Sequence, residues 1–467
     1  MRKLVVLLIF VALLGCVRAP QQRDALQLDT PERFETAESN EAPLDAWWSS
    51  FDDAQLSALI DEALEHNYDL IAAARRVDRA AAQATIAGAD LKPTIGAGLN
   101  GNRSKQNFVG FPIPGAGGGV LSTTATRYQL SLDTSWEIDL WGRLRAGTRA
   151  ALADAQAAEA EYRAAKLSLA GQVAKLWFAI QEANEQLELA RTTVENFQQS
   201  SELVRTRYEA GVRPSIDLRL ALSNQHSAEA LIALRETQLD AAQRQLEVLL
   251  GRYPSANVQS DDPLATLPGS VPVGLPADLI ARRPDLIAAE RRLAAADERL
   301  FAAQRARYPQ ISLTASGGTV SNQLEDLIDG DFRVWSLIGN IVGPVFQGGR
   351  IRAGIELNEA IGNEILAGYA SQALRAYAEV EGALANESRL RDRERHLRET
   401  AEQLAGAESL ASSRYSQGVG NYLTVLESQT RALNARSEWI QLRRELLTNR
   451  VDLHLALGGG FEKEAQP

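Results

Sequence analysis

The chain has one cysteine, Cys16, and one methionine, the initiator, among 467 residues. A single cysteine excludes a disulfide framework and any metal site built from thiolates. A single methionine excludes a soft, Met-rich binding groove. The four histidines, His66, His226, His396 and His454, are far apart, and none stands in a zinc-holding H-E-x-x-H pattern. No cofactor or metal is therefore expected. A basic excess is missing too. The net charge is −11, which argues against nucleic acid as a partner, since phosphates call for a basic face. Long apolar runs are also absent. The longest, Leu4 to Leu14, has 11 residues, against the about 20 that a helix needs to cross a hydrocarbon core. Any crossing of a membrane has to be made by β-strands.

Catalytic constellations are lacking as well. Gly96-Ala97-Gly98-Leu99-Asn100-Gly101 spells the dinucleotide pattern G-x-G-x-x-G. No strand is expected before it and no helix after it, and its glycines suit a tight strand. No nucleophile–base pair or Walker loop is found, so the chain does not read as an enzyme.

What is present begins with an export signal. Arg2 and Lys3 precede the apolar run, which ends Leu13-Leu14-Gly15-Cys16. That ending resembles the bacterial lipoprotein cleavage box. Residues 1–15 are expected to leave, with Cys16 as the lipidation site. A plain signal peptide with an incidental cysteine is the competing reading. Val17 rather than Asp follows, as in lipoproteins sorted to the outer membrane. Residues 16–51 are expected to be a lipid anchor and an extended segment.

The remainder is one unit written twice. Gly142-Arg143-Leu144-Arg145-Ala146-Gly147 returns as Gly349-Arg350-Ile351-Arg352-Ala353-Gly354, 207 positions on. Arg207-Tyr208 with Gly211-Val212 returns as Arg414-Tyr415 with Gly418-Val419 at the same offset. Upstream the offset is 216: Tyr68-Asp69-Leu70 answers Pro284-Asp285-Leu286, and Pro93-Thr94-Ile95 answers Pro309-Gln310-Ile311. The first copy is longer near the Gly/Pro-rich stretch 110–119, an exposed loop by composition. The repeats are assigned to 52–251 and 276–457. Between them lies a connector, 252–275, with Pro254, Pro263, Pro268 and Pro272. A flexible tail, 458–467, closes the chain.

Each unit reads helix, strand, loop, strand, long helix, turn, helix. The leading helices are placed at about Asp52 to Leu91 and Pro276 to Arg307. Four segments of about nine to eleven residues alternate with period two, the length of a transmembrane β-strand. Tyr128, Leu130, Leu132, Trp136 and Ile138 share one side, and Gln129, Ser131, Asp133, Ser135 and Glu137 the other. Ile95, Ala97 and Leu99 alternate likewise, as do Ile311, Leu313 and Ala315. The fourth, with Trp335, Leu337, Ile341 and Val345, is blurred by Ile338 and Val342. A half-buried soluble sheet alternates in the same way and stays open as a reading. In lipid, four strands cannot close a barrel, so several chains would have to pool theirs.

From Gly142 to Tyr208 there is no proline across 67 residues, about 100 Å of helix. Leu169, Val173, Leu176, Ile180, Ala183 and Leu187 begin a seam that steps by four and three as far as Tyr208, a coiled-coil pattern. Gly349 to Tyr415 repeats the length with a rougher row, Leu390, Leu397, Leu404 and Ala411. Gly211 and Pro214 end the first long helix, with Ser215 as the expected cap of the returning one. Gly418 and Gly420 end the second, with Asn421 as the cap.

Several stretches resemble the outer-membrane factor (TolC-like) family, in particular its lipoprotein branch serving resistance–nodulation–division efflux pumps. They are Trp136-Glu137-Ile138-Asp139-Leu140-Trp141-Gly142-Arg143, Arg282-Arg283-Pro284-Asp285-Leu286, Pro309-Gln310-Ile311-Ser312-Leu313, Gly343-Pro344-Val345-Phe346-Gln347-Gly348-Gly349-Arg350, and the turn with Asn421-Tyr422-Leu423. The resemblance runs from about Trp47 to Gly458. It implies a mixed, mainly α fold: a long coiled-coil α-barrel plus a transmembrane β-barrel shared by a trimer, four strands per chain. It implies a homotrimer in outer-membrane lipid, with a periplasmic adaptor and an inner-membrane pump as partners. The function implied is a passive exit duct for small molecules, closed at its periplasmic tips until docked. A protein-secretion duct and a periplasmic coiled-coil scaffold are the alternatives. Carried over as tip and adaptor-docking residues are Arg207, Tyr208, Gly211, Arg414, Tyr415, Gly418 and Asn421. Gly420 departs from relatives that carry an acidic residue there, so Asp217 and Glu427 are offered as possible gate carboxylates.

Overall fold

The structure is a computed structural model that describes Phe34 and residues 46–109, 121–260, 262–269, 271, 273–274 and 276–459. The export signal, Cys16 and the 110–119 stretch fall outside the described residues, as does the tail after residue 459. Contacts divide the chain into two units. One comprises Asp78–Gln156 and Arg291–Ala367. The other comprises the described parts of Leu28–Val77, Ala157–Glu290 and Gly368–Pro467.

The first repeat runs α1 (Ala54–His66), α2 (Tyr68–Ala89), β1 (Thr94–Phe108), β2 (Leu121–Ile138), α3 (Arg143–Glu209) and α4 (Ser215–Leu249). The second runs α5 (Pro276–Arg282), α6 (Pro284–Arg305), β3 (Gln310–Ser321), β4 (Arg333–Val342), α7 (Arg350–Ser416) and α8 (Tyr422–Ala456). The fold is mainly helical with one four-stranded antiparallel sheet in the order β1-β2-β3-β4. The long helices α3 and α7 have 67 residues each, and the returning helices α4 and α8 have 35 each.

In the first unit the sheet exposes an apolar face. Directly opposed residues of an antiparallel pair point the same way, so Ile95, Leu99, Leu132, Leu337 and Ile341 share a side. Trp335 on that side is 83% exposed and Ile341 73%. The opposite side carries Asn100, Asp133, Ser312 and Ser336. Gly318 permits the closest approach within the sheet, since a Cβ there would meet the Leu130 carbonyl oxygen at 1.9 Å. Trp141 stacks on Tyr308 and donates its indole N–H to the Pro309 carbonyl at 2.6 Å, tying the end of β2 to the start of β3.

In the second unit the α3 seam is buried from Leu169 to Val204, apart from half-buried Leu176, and ends at the exposed Tyr208. Gly171 lets α8 come close, for a Cβ would sit 2.6 Å from Leu455. Trp47, Phe51, Leu56, Trp177, Phe178 and Leu246 belong to one apolar core. Val273, Leu279, Leu286, Ala376, Val380 and Leu453 belong to its counterpart in the second repeat. At about 25 cal/mol per Å², each fully buried large side chain contributes about 2–3 kcal/mol.

Five expectations need correction. The leading helix placed at Asp52–Leu91 is two helices, because Asn67 is extended and caps both neighbours. Its N–H donates to the Ala63 carbonyl, its Oδ1 accepts from Leu70 N–H, and its amide reaches the Leu249 carbonyl at the end of α4. Pro276–Arg307 is likewise split, at Arg283, whose guanidinium reaches the Ala456 carbonyl at the end of α8. Strands β1 and β2 run to 15 and 18 residues rather than nine to eleven, because their outer halves keep pairing after both faces turn polar. The segment 16–51 is not extended throughout: Trp47–Phe51 form a 3-10 helix that buries Trp47. The cap of α4 is Pro214 without a side-chain bond, and Ser215 is the first helical residue.

The connector is strapped down rather than loose. Gln243 holds the Val258 carbonyl, Glu185 accepts the Leu264 N–H, and Arg443 holds the Leu264 carbonyl. Arg450, 1% exposed, binds the Gly269 carbonyl at 2.6 Å and forms a two-pronged pair with Glu387 at 2.7 and 2.8 Å. Burial would raise the Glu387 carboxyl, but Arg450 and Arg391 hold it below its usual value.

His454 is buried against Trp47, ring centroids 5.2 Å apart, and neither ring nitrogen has a hydrogen-bond partner among the described residues. Burial holds the imidazole down to about 4; Arg450 adds to the effect and Glu387 opposes it. Because the folded-state value lies below the ordinary 6.5, the unfolded chain binds the proton first as pH falls. Stability from this group is whole above about 6.5 and drains away down to about 4, by about 3 kcal/mol in all. Thermal melting of the full chain in detergent between pH 7 and 4 is expected to show that loss. His454→Gln should flatten it, and an unchanged slope would refute the assignment.

Candidate gate at the paired helix turns

The turns α3–α4 and α7–α8 are built bond for bond alike. Gly211 N–H donates to the Tyr208 carbonyl and Val212 N–H to the Arg207 carbonyl, both at 2.9 Å. Gly418 N–H donates to the Tyr415 carbonyl at 3.0 Å and Val419 N–H to the Arg414 carbonyl at 3.1 Å. This is the Schellman closure, which needs a left-handed residue. Gly211 at φ +70° and Gly418 at φ +84° provide it without strain. Asn421 caps α8 by accepting from Leu423 N–H at 3.2 Å.

What lies on the turns differs between the halves. Arg207 crosses to the other turn and donates to the carbonyls of Tyr415 and Ser416, each at 2.8 Å. Those carbonyls end α7, where the helix dipole is negative. The Arg207 guanidinium lies 4.5 Å from the Tyr415 ring centroid. Arg213 donates to the Gly420 carbonyl at 2.9 Å and stands 5.4 Å from the same ring. Beneath the two arginines, Tyr415 and Tyr422 are 2% and 1% exposed, packed with Val204, Ala221 and Val425. Burial pushes the Tyr422 hydroxyl up to about 12, with Tyr415 and Asp217 adding to it. The two arginines therefore latch the first turn onto the second over a buried aromatic pair.

Among the residues carried over from the resemblance, the latch gathers Arg207, Tyr415, Gly418 and Asn421. Tyr208 is 41% exposed, and the Arg414 side chain is exposed as well. Tyr415, being buried, offers no surface to a partner. Asp217 is half-buried near Tyr422, whereas Glu427 is exposed and paired with Arg431 at 2.6 Å. Gly420 has a local reason: a Cβ there would come within 3.0 Å of the Tyr415 backbone nitrogen. Sequence reasoning missed Arg213 and Tyr422. Arg213 had a signal, since it is the position that answers Gly420 in the repeat. Exposed apolar residues also stand in matched pairs, Val212 with Val419 and Ile216 with Leu423, each 57–69% exposed.

Two long helical hairpins tied at their turns and a four-stranded sheet with an exposed apolar face fit a protein of the outer-membrane export class. The chain belongs to the outer membrane efflux protein family, whose model matches residues 59–252 and 275–459. It is 34% identical to the outer membrane protein OprJ of Pseudomonas aeruginosa, over 98% of this chain and 95% of that protein. It is 33% identical to the solvent efflux pump outer membrane protein SrpC of Pseudomonas putida, over 88% and 86% of the two. A crystal structure of a membrane protein from Pseudomonas aeruginosa superposes with a TM-score of 0.86 at 33% identity, covering 97% of this chain and 99% of that one. The family is one of efflux channels of the outer membrane.

Charge-assisted bonds of the Arg207 kind are worth about 1–3 kcal/mol. Spin labels at Val212→Cys and Val419→Cys should report a narrow distance distribution in the full chain. Combining Arg207→Ala with Arg213→Ala is expected to broaden it. A distribution that stays narrow means the arginines do not hold the turns.

Proposed function

We propose that the chain is the outer-membrane exit duct of a tripartite efflux system, passing small molecules handed over by an inner-membrane pump of the resistance–nodulation–division type. A periplasmic adaptor docks at the helix turns. Three copies pool their strands into one twelve-stranded barrel, and each copy is anchored by lipid on Cys16. The observation that carries this reading is the sheet, with an exposed apolar face and two edges unpaired among the described residues. Unpaired backbone in hydrocarbon is too costly to stand, so the edges call for further copies.

The adaptor reading is supported by the matched pairs Val212 with Val419 and Ile216 with Leu423, which give both hairpins the same apolar tip. Repeated tips suit a partner that binds the two halves alike. The pore is held shut by the arginine latch and opens when the adaptor takes over the tip contacts. The duct itself performs no chemistry, and energy comes from the pump.

Deleting the gene in its own host and measuring uptake of a fluorescent cationic dye tests the function. Intracellular dye is expected to rise and to fall again with a plasmid copy. Unchanged accumulation in a strain without other ducts would sink the small-molecule reading. Labelled palmitate should enter the wild-type protein and not Cys16→Ser. Label retained in the variant would rule out the anchor at that residue.

A further inference from the structure

The two helical hairpins are filled unequally. Residues 207 positions apart stand in equivalent places. In the first hairpin Val194, Phe197 and Ala228 are buried together, with Ile232 packed against them. Ser201 of α3, 5% exposed, donates to the Gln225 amide oxygen of α4 at 2.8 Å. The second hairpin has smaller or charged residues at these places: Ala401 for Val194, Leu404 for Phe197, Glu408 for Ser201 and Ala432 for Gln225. A cavity of about 550 Å³ opens there, walled by α3, α7 and α8 and by Pro263 of the connector. Pockets that take small organic molecules have this size.

Two acceptors in the lining lack a donor. The amide oxygen of Gln429, a residue 6% exposed, has no hydrogen-bond partner among the described residues, while its nitrogen donates to Ser200 at 3.2 Å. Buried polar atoms are ordinarily paired, so an orphan of this kind calls for one. Glu408 is half-buried, and burial alone acts on its carboxyl, pushing it up, with neither a charge nor a hydrogen bond to hold it down. The first hairpin meets Ser201 with Gln225; here an alanine stands in that place. Among the other charged groups of the lining, Glu185 and Arg443 pair at 3.1 Å, and Glu188 and Arg436 are both exposed. One negative charge, that of Glu408, is left over. Trp439 supplies an aromatic wall, its indole N–H fixed on Glu394 at 2.8 Å.

We propose that this cavity is a binding site for a small organic cation, a protonated amine on a flat apolar body. The N–H groups of the amine donate to the Glu408 carboxylate and to the Gln429 amide oxygen. The flat body lies against Trp439 and Phe197, whose ring faces attract positive charge. An anion is turned away by Glu408. An uncharged molecule without donors leaves both acceptors unpaired and gains only the apolar contact. Helix α3 belongs to the first hairpin and α7 and α8 to the second, so an occupant touches both. The site stands whether or not the chain is an exit duct.

Proflavine is the probe: planar, singly positive at neutral pH, with amine N–H donors. Its fluorescence polarisation is titrated with the full-length protein in nanodiscs, and saturable binding is expected. Glu408→Gln keeps the shape and removes the charge, and should weaken binding at least about tenfold. Because it also removes an uncompensated half-buried charge, its melting temperature should equal or exceed that of the wild type, which separates lost binding from lost folding. Ala432→Gln restores the side chain of the first hairpin and should weaken binding as much, by filling the cavity. Glu402→Gln, at an exposed position of α7 outside the lining, should leave the affinity unchanged. Absence of saturable binding overturns the site, as does equal affinity in Glu408→Gln and the wild type. An equal loss in Glu402→Gln assigns the effect to overall charge and overturns it too. Displacement of proflavine by uncharged N-phenylnaphthylamine at the same concentration reduces the cavity to an apolar surface and overturns the cation reading.

Discussion

A peptide N–H or C=O facing hydrocarbon without a partner costs several kcal/mol, and a strand edge lines up a row of them. The sheet has such an edge on each side, β1 and β4. A soluble protein blunts edges with charges, prolines or a covering loop. Here Gly96, Ala97, Gly98 and Leu99 on one edge, and Leu337, Ile338, Gly339, Ile341 and Val342 on the other, are apolar or small. That is the make-up of a surface meant to be paired. Once the edges are accepted as joints, the rest falls into order.

The halves keep geometry while changing chemistry. At the joint between the leading helices, Asn67 reaches the end of α4 with a neutral amide, and Arg283 reaches the end of α8 with a guanidinium. Asp285 and Glu379 then accompany Arg283 at 2.9 and 2.6 Å. The same helix break and the same carbonyl contact are made by a small cap in one half and by an ion network in the other. The turns show the opposite division. Their backbone bonds agree closely, yet Arg213 and Gly420 occupy equivalent places. A duplicated unit has to conserve where its helices end, and is free to vary what holds those ends.

Much of this was legible in the residues. The constant offset of 207 announced two turns of equal build, and the glycines at 211 and 418 marked where a left-handed residue was required. The seam from Leu169 was plain because a buried helix stripe has to recur every three or four residues. Strand length was not legible. Arg103, Ser104, Lys105 and Gln106 of β1 meet Thr126, Ala125, Thr124 and Thr123 of β2. With both faces largely polar, alternation vanishes while hydrogen bonding goes on. The break at Asn67 was hidden for a related reason: asparagine is tolerated within a helix, and only its counterpart beside Pro284 signalled a stop. The latch was half-visible. Arg207 stood in a recognisable motif, but which carbonyl a long side chain reaches depends on the neighbouring hairpin, which lies about 200 residues away in sequence.

The matched lengths of the helices constrain how such a gene can change. Helices α3 and α7 have 67 residues each, and α4 and α8 have 35 each. One inserted residue turns everything beyond it by about 100° and takes the seam off its neighbours. An insertion of seven keeps the phase but lifts that tip by about 10 Å above its partner, beyond the reach of an arginine latch. Length can therefore drift freely only outside these four matched helices. Elsewhere an insertion survives only if its twin arises in the other half, so the hairpins are expected to lengthen or shorten as pairs or not at all.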